Sequence, residues 1–354
     1  MTETTARRPS RWGLYAPFIL LLVALAVWTG WWFYLARQIE TRLDGEVARL
    51  NETGWSIRRA DTRLSGWPFR TRLALSHVTV AAPSRHAVSA PELIAEANAW
   101  DPRHWVIVAP RGLVVDRAAK GKVAVNGDAI RMSVSGLGQR WPNLAVEMVN
   151  PVFTAHPGGE PFPFARAARV SLEARPHMGA DQQATDDLDV LFRLQDGRGR
   201  PNGPVEGFAQ EGQLSIDLET VIGQASTLTG DDAAGVFAAW SRSGGTFRDL
   251  RGALKAGDSE ATLQSDLLRV DDDGRLAGTV TFQARDAGPA IAGLAQSQTG
   301  VANRVGAAGA SMAAGAAQSA GRAAGRESLP LTIVFRDGRA WLGPFPLAPA
   351  PKLF

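Results

Sequence analysis

One uncharged apolar run constrains the fold of this chain more than any other feature. It extends from Ala16 to Ala36 and contains no charged residue over 21 positions. A helix rises about 1.5 Å per residue, so a helix of this length crosses the roughly 30 Å hydrocarbon layer of a bilayer. No small-residue cleavage pattern follows, because the next residues are Arg37 and Gln38. The sequence therefore predicts an uncleaved transmembrane anchor at residues 16–36.

The flanks of the run predict its orientation. Lysine and arginine counts tie, with Arg7, Arg8 and Arg11 before the run and Arg37, Arg42 and Arg49 after it. A short basic tail before a first span nevertheless favours a cytoplasmic N-terminus. We therefore predict that residues 1–15 form a cytoplasmic tail and that the bulk of the chain lies in the periplasm, held by a single-pass inner-membrane anchor. An aromatic belt of Trp28, Trp31, Trp32 and Tyr34 would meet the headgroups.

Residues 37–54 are predicted to form a helical stalk. Ile39, Leu43, Val47 and Leu50 recur at helical spacing, with charged residues between them. Gly54 is well placed to terminate this helix. The apolar stripe predicts that the stalk lies either along the membrane surface or against the rest of the protein.

The chain after Gly54 has the pattern of short antiparallel strands. Apolar runs of strand length are bounded by Gly, Pro, Asn or Asp, and no strand–helix–strand rhythm occurs. An opening strand ends at Val80, with a bulge expected at Ser76-His77. Further strands are expected at Leu93–Ala99, Trp105–Val115, Gly121–Val134, Asn143–Ala155, Ala168–Ala174 and Leu188–Leu194. The predicted fold class is mainly β (α+β), a long curved antiparallel sheet with a few short helices.

Composition divides the predicted sheet into sections. A first β section covers residues 55–195, and a second section with short helices covers 196–300. The second section starts with a loop at Asp196–Gly203 and includes a short helix, capped by Asp231, that runs to Trp240. Its strands lie within Thr246–Arg285, with a turn at 272–274. Residues 301–326 form a predicted flexible insert, because Ala and Gly make up 16 of the 25 residues from Val301 to Gly325. Residues 327–354 complete the sheet with a hairpin and a proline-rich end.

Two motifs carry a resemblance to a known family. The first is Gly66-Trp67-Pro68-Phe69-Arg70, shortly after the apolar run. The second is near the C-terminus and comprises Leu331-Thr332-Ile333, Asp337-Gly338-Arg339, Leu342-Gly343-Pro344, Pro346-Leu347 and Pro349. Together they resemble an uncharacterised alphaproteobacterial envelope family named domain of unknown function 2125. The resemblance implies an architecture and a location but no reaction, and these motif residues are predicted to be structural. The layout also resembles AsmA-like envelope proteins, which are linked to lipid handling.

The sequence predicts no catalytic, cofactor-binding or metal-binding residues. The chain has no cysteine, which excludes disulfides and thiolate sites. Its five histidines lack the spacing of metal ligands, and no G-x-S-x-G or phosphate-binding loop occurs. Asp271 to Gly274 is interpreted as a solvated hairpin turn. The arginines are spread along the chain and the net charge is only +3, so nucleic acid is not a predicted partner.

Two functional hypotheses follow, neither of them enzymatic. In the first, one apolar face of the sheet holds acyl chains or another hydrophobic ligand. In the second, the protein is a scaffold that binds another envelope protein through an open sheet edge and carries no lipid. A third interpretation, an envelope hydrolase, lacks any nucleophile–base pair to support it. Continuous apolar residues along a groove would favour the lipid hypothesis, and a filled core would favour the scaffold.

Overall fold

The fold is mainly β, as predicted. The computed structural model describes residues 12–353 except 202, 210–211, 233, 286–288, 294–304, 307, 310, 313–314, 317–318 and 320–328. Among the described residues, strands account for 52% and helical residues for 23%. The predicted N-terminal tail, apart from residues 12–15, and most of the predicted Ala/Gly insert therefore lie outside the described residues. Those insert residues that are described are helical.

The N-terminal helix α1 continues without a break from the apolar run through the predicted stalk. It extends over Trp12–Glu52 and is long and apolar enough to cross a membrane. Residues 15–27 are exposed on all sides, whereas from Trp28 onward one side of the helix is covered by protein. The four residues of the predicted stripe are half-buried: Ile39, Leu43, Val47 and Leu50. Of the two predicted positions for the stalk, packing against the sheet is the one observed.

In the described part of the chain, twenty antiparallel strands form a single sheet. Their bounds are β1 Ser56–Arg58, β2 Thr62–Ser65, β3 Arg70–Ala81, β4 His86–Asn98, β5 Asp101–Val108, β6 Leu113–Arg117, β7 Lys122–Asn126, β8 Ala129–Ser135, β9 Asn143–Val149, β10 Val152–Ala155, β11 Phe164–Arg166, β12 Arg169–Met178, β13 Ala184–Gly199, β14 Leu214–Ile222, β15 Thr246–Ala256, β16 Ser259–Val270, β17 Leu276–Arg285, β18 Leu329–Arg336, β19 Arg339–Leu342 and β20 Phe345–Pro349.

The pairing follows the order of the chain. Several strands lie end to end and act as two halves of one longer strand: β1 with β2, β5 with β6, β7 with β8, β9 with β10, and β11 with β12. For example, β4 pairs with β6 through residues 86–89 and with β5 through residues 94–98. From β3 to β20 each long strand then pairs with the one before it and the one after it. The topology is an up-and-down meander.

A line of irregular residues, which we call the transverse seam, crosses the strands from β3 to β13. It consists of His77, Pro91, residues 109–112, 127–128, 150–151 and 167–168, and Asp196. His77, Gly112, Asn150 and Asp196 have positive φ angles of 50°, 72°, 48° and 51°. Backbone hydrogen bonds continue across the seam, as from Ala109 N to Ile130 O at 2.9 Å. The sheet is therefore irregular along the seam but not interrupted.

The seam corrects one prediction about β3. The buried side chains change from Thr71 and Leu73 before the seam to Val78 after it, which matches the change of face seen in the sequence. The register with β4 is the same on both sides, however, since Ser76 pairs with Glu92 and Val78 with Ala90. No extra residue is inserted. The left-handed backbone of His77 produces the change of face, and the predicted bulge is wrong.

Two further local predictions are also corrected. The predicted loop at Asp196–Gly203 is shorter, because β13 continues to Gly199 and pairs with β14 and β11 on the way. Asp231 does not cap the predicted helix. Helix α3 extends over Val236–Arg242 after Gly235, and it is Asp232 whose side chain accepts a hydrogen bond from Ala234 N at 2.8 Å. A second short helix, α2, extends over Pro204–Phe208.

Both edges of the sheet are protected against pairing with another chain. The β1–β2 edge lies beside α1, where Asn51 Oδ1 accepts a hydrogen bond from Ile57 N at 3.0 Å and Asp44 pairs with Arg59. The opposite edge, β20, contains Pro346 and Pro349, which have no N–H to donate. Such edges do not recruit another strand readily.

Candidate functional site

The first motif forms a corner that receives helix α1. Gly66 to Phe69 connect β2 to β3, which starts at Arg70, and Gly66 has a φ of 106°. A Cβ on Gly66 would lie 2.6 Å from Arg70 O, so no other residue fits this tight approach. Trp28 Nε1 donates a hydrogen bond to Pro68 O at 2.8 Å, and Trp32 Nε1 donates to Arg70 O at 2.9 Å. The corner is thus fastened to two consecutive turns of α1.

Apolar packing supports these hydrogen bonds. Trp32, Leu35 and Ala36 are buried in one cluster with Ala99, and Leu64 of β2 packs against this cluster. Trp28 and Trp32 were predicted to face the headgroups, but their indoles bind the sheet instead. Trp31 and Tyr34, on the other side of the helix, stay exposed. The sequence held a signal for this docking, since Trp28, Trp32, Leu35 and Ile39 share one helical face.

The second family motif lies at the opposite edge of the sheet. Asp337 and Gly338 form the two-residue turn between β18 and β19, with φ angles of 53° and 68°. Gly343 and Pro344 form the turn between β19 and β20, and Gly343 has a φ of 56°. Arg339 lies in β19 and Pro346 in β20. The structure does not bring the two motifs together; each shapes one end of the sheet.

A continuous row of apolar residues crosses thirteen strands in exact register. Residues that pair across antiparallel strands point to the same face of a sheet. The pairing of each strand with the next connects the following positions: Leu64, Leu73, Ala95, Ile107, Met132, Val146, Leu172, Phe192, Leu218, Gly252, Leu263, Phe282 and Leu331. At about 4.8 Å per strand, this row is roughly 58 Å long.

Two parallel rows widen it into what we call the apolar band. On the side of the seam, the paired residues are Ile130, Met148, Val170, Leu194, Ile216, Leu254, Ala261 and Ala284. On the other side they are Ala97, Trp105, Val134, Leu144, Ala174 and Val190. At Gly252 the central row has no side chain; Leu218 Cδ2 lies 2.7 Å from where a Cβ would stand and fills the gap. The band is thus apolar over its whole length.

The two margins of the band are covered more than its centre. The seam-side row is buried at Ile130, Val170 and Leu194, where α2 and neighbouring strands pack on it. At the other margin, Val190 packs into the cluster around Trp240 of α3. In the central row, Leu73 and Ala95 are buried, Leu172 is 38% exposed and the other side chains are half-buried. The arrangement is an open apolar surface between two packed margins, not a filled core.

The other face of the same strands is polar. Arginines and carboxylates alternate with the band residues and pair across the strands. The pairs are Arg72 with Glu96, Arg131 and Arg169 with Glu147, Arg175 with Asp189, and Arg193 with Asp217. Exposed pairs of this kind contribute little to stability. They do keep this face hydrated, so the two faces of the sheet differ sharply in what they can bind.

A separate cavity of about 640 Å³ lies between the loop before α3 and the far ends of β3, β4 and β6. Its walls are mostly apolar, with Val88, Val115, Val236 and Phe237 among them, and Arg117 and Lys120 at the polar side. The loop is held by Asp232, which pairs with Arg242 at 2.5 Å. The Ala234 N–H and the Arg242 guanidinium lower the pKa of the Asp232 carboxyl.

The described residues include no cluster of three or more His, Asp or Glu side chains that could hold a metal ion. That search extends only to those residues, so the prediction that the protein needs no metal stays a prediction. The same holds for the predictions that it uses no cofactor and is not an enzyme.

Comparison with known proteins identifies a family. Residues 32–351 match the model of a family described as "Uncharacterized protein conserved in bacteria (DUF2125)". The match includes both motifs on which the predicted resemblance depended, and that prediction is confirmed. No curated protein and no solved structure gave a significant match.

Proposed function

We propose that this chain, which belongs to the uncharacterised bacterial family DUF2125, is a membrane-anchored periplasmic protein that holds acyl chains on its apolar band. The single observation that carries this proposal is the unbroken register of apolar residues from Leu64 to Leu331. It starts beside the anchor helix, since Leu64 packs against the cluster that contains Trp32 and Leu35. A lipid that leaves the membrane along α1 would meet the band at once.

The free energy of binding favours long acyl chains over short ones. Burying one methylene group contributes about 0.8 kcal/mol, and association costs at least about 4 kcal/mol in lost freedom of motion. An acyl chain therefore needs to place more than about five methylene groups on the band before it binds at all. The central row offers roughly 58 Å of apolar surface, which is ample for chains of membrane lipids. Water-soluble ligands of similar size would gain nothing on this face.

Substitutions in the middle of the band test the proposal. Leu172→Asp puts a carboxylate on the central row, and we expect at least a tenfold loss of photoreactive phospholipid crosslinked to the protein in cells. Leu267→Asp is the matched control, because Leu267 is a leucine of nearly equal exposure, 40% against 38%, that lies outside the band. It should crosslink like the wild type.

The scaffold hypothesis predicts the opposite result. If the wild-type protein gave only protein adducts and no lipid adduct, or if both aspartate variants lost lipid equally, the band would not be a lipid site. Native mass spectrometry of the detergent-extracted protein gives a second measure, in which the wild type should retain bound lipid and Leu172→Asp should not.

The proposed location has its own test. Alkaline phosphatase is active only outside the cytoplasm, so a fusion after Phe354 should be active and a fusion before Met1 inactive. The expectation follows from the basic N-terminal tail and from the length of α1. An inactive C-terminal fusion, together with an active cytoplasmic reporter at the same position, would place the sheet in the cytoplasm.

A further inference from the structure

We infer that the corner at Gly66–Arg70, together with Trp100, is inserted into the membrane leaflet from which α1 emerges. The partner is the lipid bilayer itself, and the contact surface consists of Trp67, Phe69 and Trp100. The inference rests on the proposed transmembrane anchor. It goes beyond that anchor because it concerns the sheet, which could otherwise stand clear of the membrane.

The length of α1 fixes the depth of the corner. About 20 helical residues cross the hydrocarbon layer. A span of that length that starts at Ala16, the first residue of the predicted anchor, ends at Leu35. Trp28 lies seven residues before that end, which is about 10 Å inside the hydrocarbon boundary. Its indole binds Pro68 O at 2.8 Å, so Pro68 must lie near the same depth.

Four of the five backbone carbonyls of the corner accept hydrogen bonds from within the protein. Within hydrocarbon, each backbone carbonyl needs a partner from the protein because water is absent. The Pro68 and Arg70 carbonyls accept the two indole N–H groups. The Gly66 carbonyl accepts a hydrogen bond from Arg70 N at 2.9 Å, and the Phe69 carbonyl accepts one from Ala99 N at 3.0 Å. A solvated turn would not need all four partners.

The side chains at this level are large and exposed. Trp67, Phe69 and Trp100 are 48%, 64% and 61% exposed. Large exposed apolar patches mark sites that contact proteins or membranes. Phe69 and Trp100 both lie just beyond the last rung of the ladder, since Arg70 pairs with Asn98 and Asn98 with Asp101. They therefore project from the same end of the sheet. Aromatic residues of this kind are enriched at the boundary between lipid and water.

Charged residues mark where the lipid ends. Arg70 follows Phe69 directly, and Asp101 and Arg103 follow Trp100. The side chains of Arg70 and Arg103 are 68% and 81% exposed and can reach phosphate headgroups. The boundary would thus cross the sheet between the three aromatic side chains and these charges. Leu64, the first residue of the apolar band, lies only two residues before Gly66, at the start of the inserted corner.

The cysteine-free sequence makes a direct test possible. Single cysteines replace Trp67, Phe69 or Trp100 in the full chain, carry a nitroxide label and are studied in phospholipid nanodiscs. Val23→Cys serves as the reference for lipid, and Val152→Cys, on an apolar strand residue of 46% exposure, serves as the reference for water. We expect the three corner labels to collide with oxygen more than with a water-soluble nickel chelate, as the Val23 label does.

Each outcome decides one claim. If the Val23 label is protected from nickel while the Trp67, Phe69 and Trp100 labels are as accessible as the Val152 label, the anchor stands and the insertion is wrong. If the Val23 label is also accessible to nickel, the transmembrane anchor itself is wrong. Phe69 and Trp100 are mostly exposed, so their substitution leaves the fold intact, and circular dichroism verifies this for each variant.

Discussion

Replacing Trp240 with alanine should lower the free energy of unfolding by about 3–5 kcal/mol. Trp240 is completely buried, and its Nε1 donates a hydrogen bond to Gly223 O at 2.6 Å. Its ring lies 5.0 Å from that of Phe247 and 5.6 Å from that of Phe237. The substitution leaves a cavity and removes the donor from a carbonyl inside the protein. Urea denaturation of the full chain in detergent, followed by circular dichroism, measures the loss.

A matched control and a coupled substitution sharpen this prediction. Trp100→Ala removes an exposed tryptophan and should change the free energy of unfolding by less than about 0.5 kcal/mol. Gly245 packs so tightly on Trp240 that a Cβ there would lie 2.2 Å from the ring. Gly245→Ala should therefore destabilise the wild type but cost little in the Trp240→Ala background. Additive effects would mean that the two residues do not share one packing site.

Replacing Trp32 with alanine should release the sheet from helix α1. Trp32 is 6% exposed and packs with Leu35, Ala36 and Ala99, and its indole is the donor to Arg70 O. Loss of the ring removes about 3–5 kcal/mol of packing and leaves that carbonyl without its donor. We expect the corner to separate from α1 while the sheet stays folded, because the strands pair with one another and not with the helix.

Distance measurements between two spin labels can detect the release. Cysteines at Arg37 on α1 and Arg63 on β2, both exposed, should give a narrow distance distribution in the wild type. In Trp32→Ala the distribution should become at least twice as broad. Trp31→Ala is the control, since Trp31 is the neighbouring tryptophan but lies on the exposed side of α1. Equal widths in all three proteins would refute a docking role for Trp32.

The fold class and the length of α1 could be predicted because they depend on local patterns. The apolar run and the stripe from Ile39 to Leu50 are periodic over many residues, and both lie in one continuous helix. Turns were predictable where the backbone demands particular residues. Asp337-Gly338 forms the expected turn between β18 and β19, and the Asp271–Gly274 segment turns between β16 and β17, where Gly274 N donates to Asp271 O at 2.9 Å.

The apolar band could not be predicted residue by residue. Each strand shows alternating apolar residues, but which residue of one strand lies beside which residue of the next depends on register. A single residue of slip would move Leu172 or Phe192 to the polar face. The seam adds a second difficulty. At His77 in β3 and at Pro91 in β4 the buried side chains switch from one face of the strand to the other, although the register does not change.

The docking of Trp28 and Trp32 on the corner was missed for a related reason. Tryptophan at the end of an apolar helix is typical of a membrane boundary. This local pattern accounts for Trp28 and Trp32 without any contact to the sheet. The partner carbonyls of Pro68 and Arg70 lie 40 and 38 residues further along the chain. Only the folded chain brings them within hydrogen-bonding distance.

The strictly sequential pairing of the meander has a consequence for how the protein is made. When strands that lie end to end are counted as one long strand, each long strand from β4 onward pairs with the long strand synthesised just before it. Distant stretches of chain therefore need not search for one another. In the proposed orientation the N-terminus stays in the cytoplasm and the residues after α1 cross the membrane in order, so the sheet can assemble strand by strand behind its anchor. During this growth the newest strand is always an open edge, which can recruit a foreign strand. Pro346 and Pro349 in the last strand close that edge and end the growth.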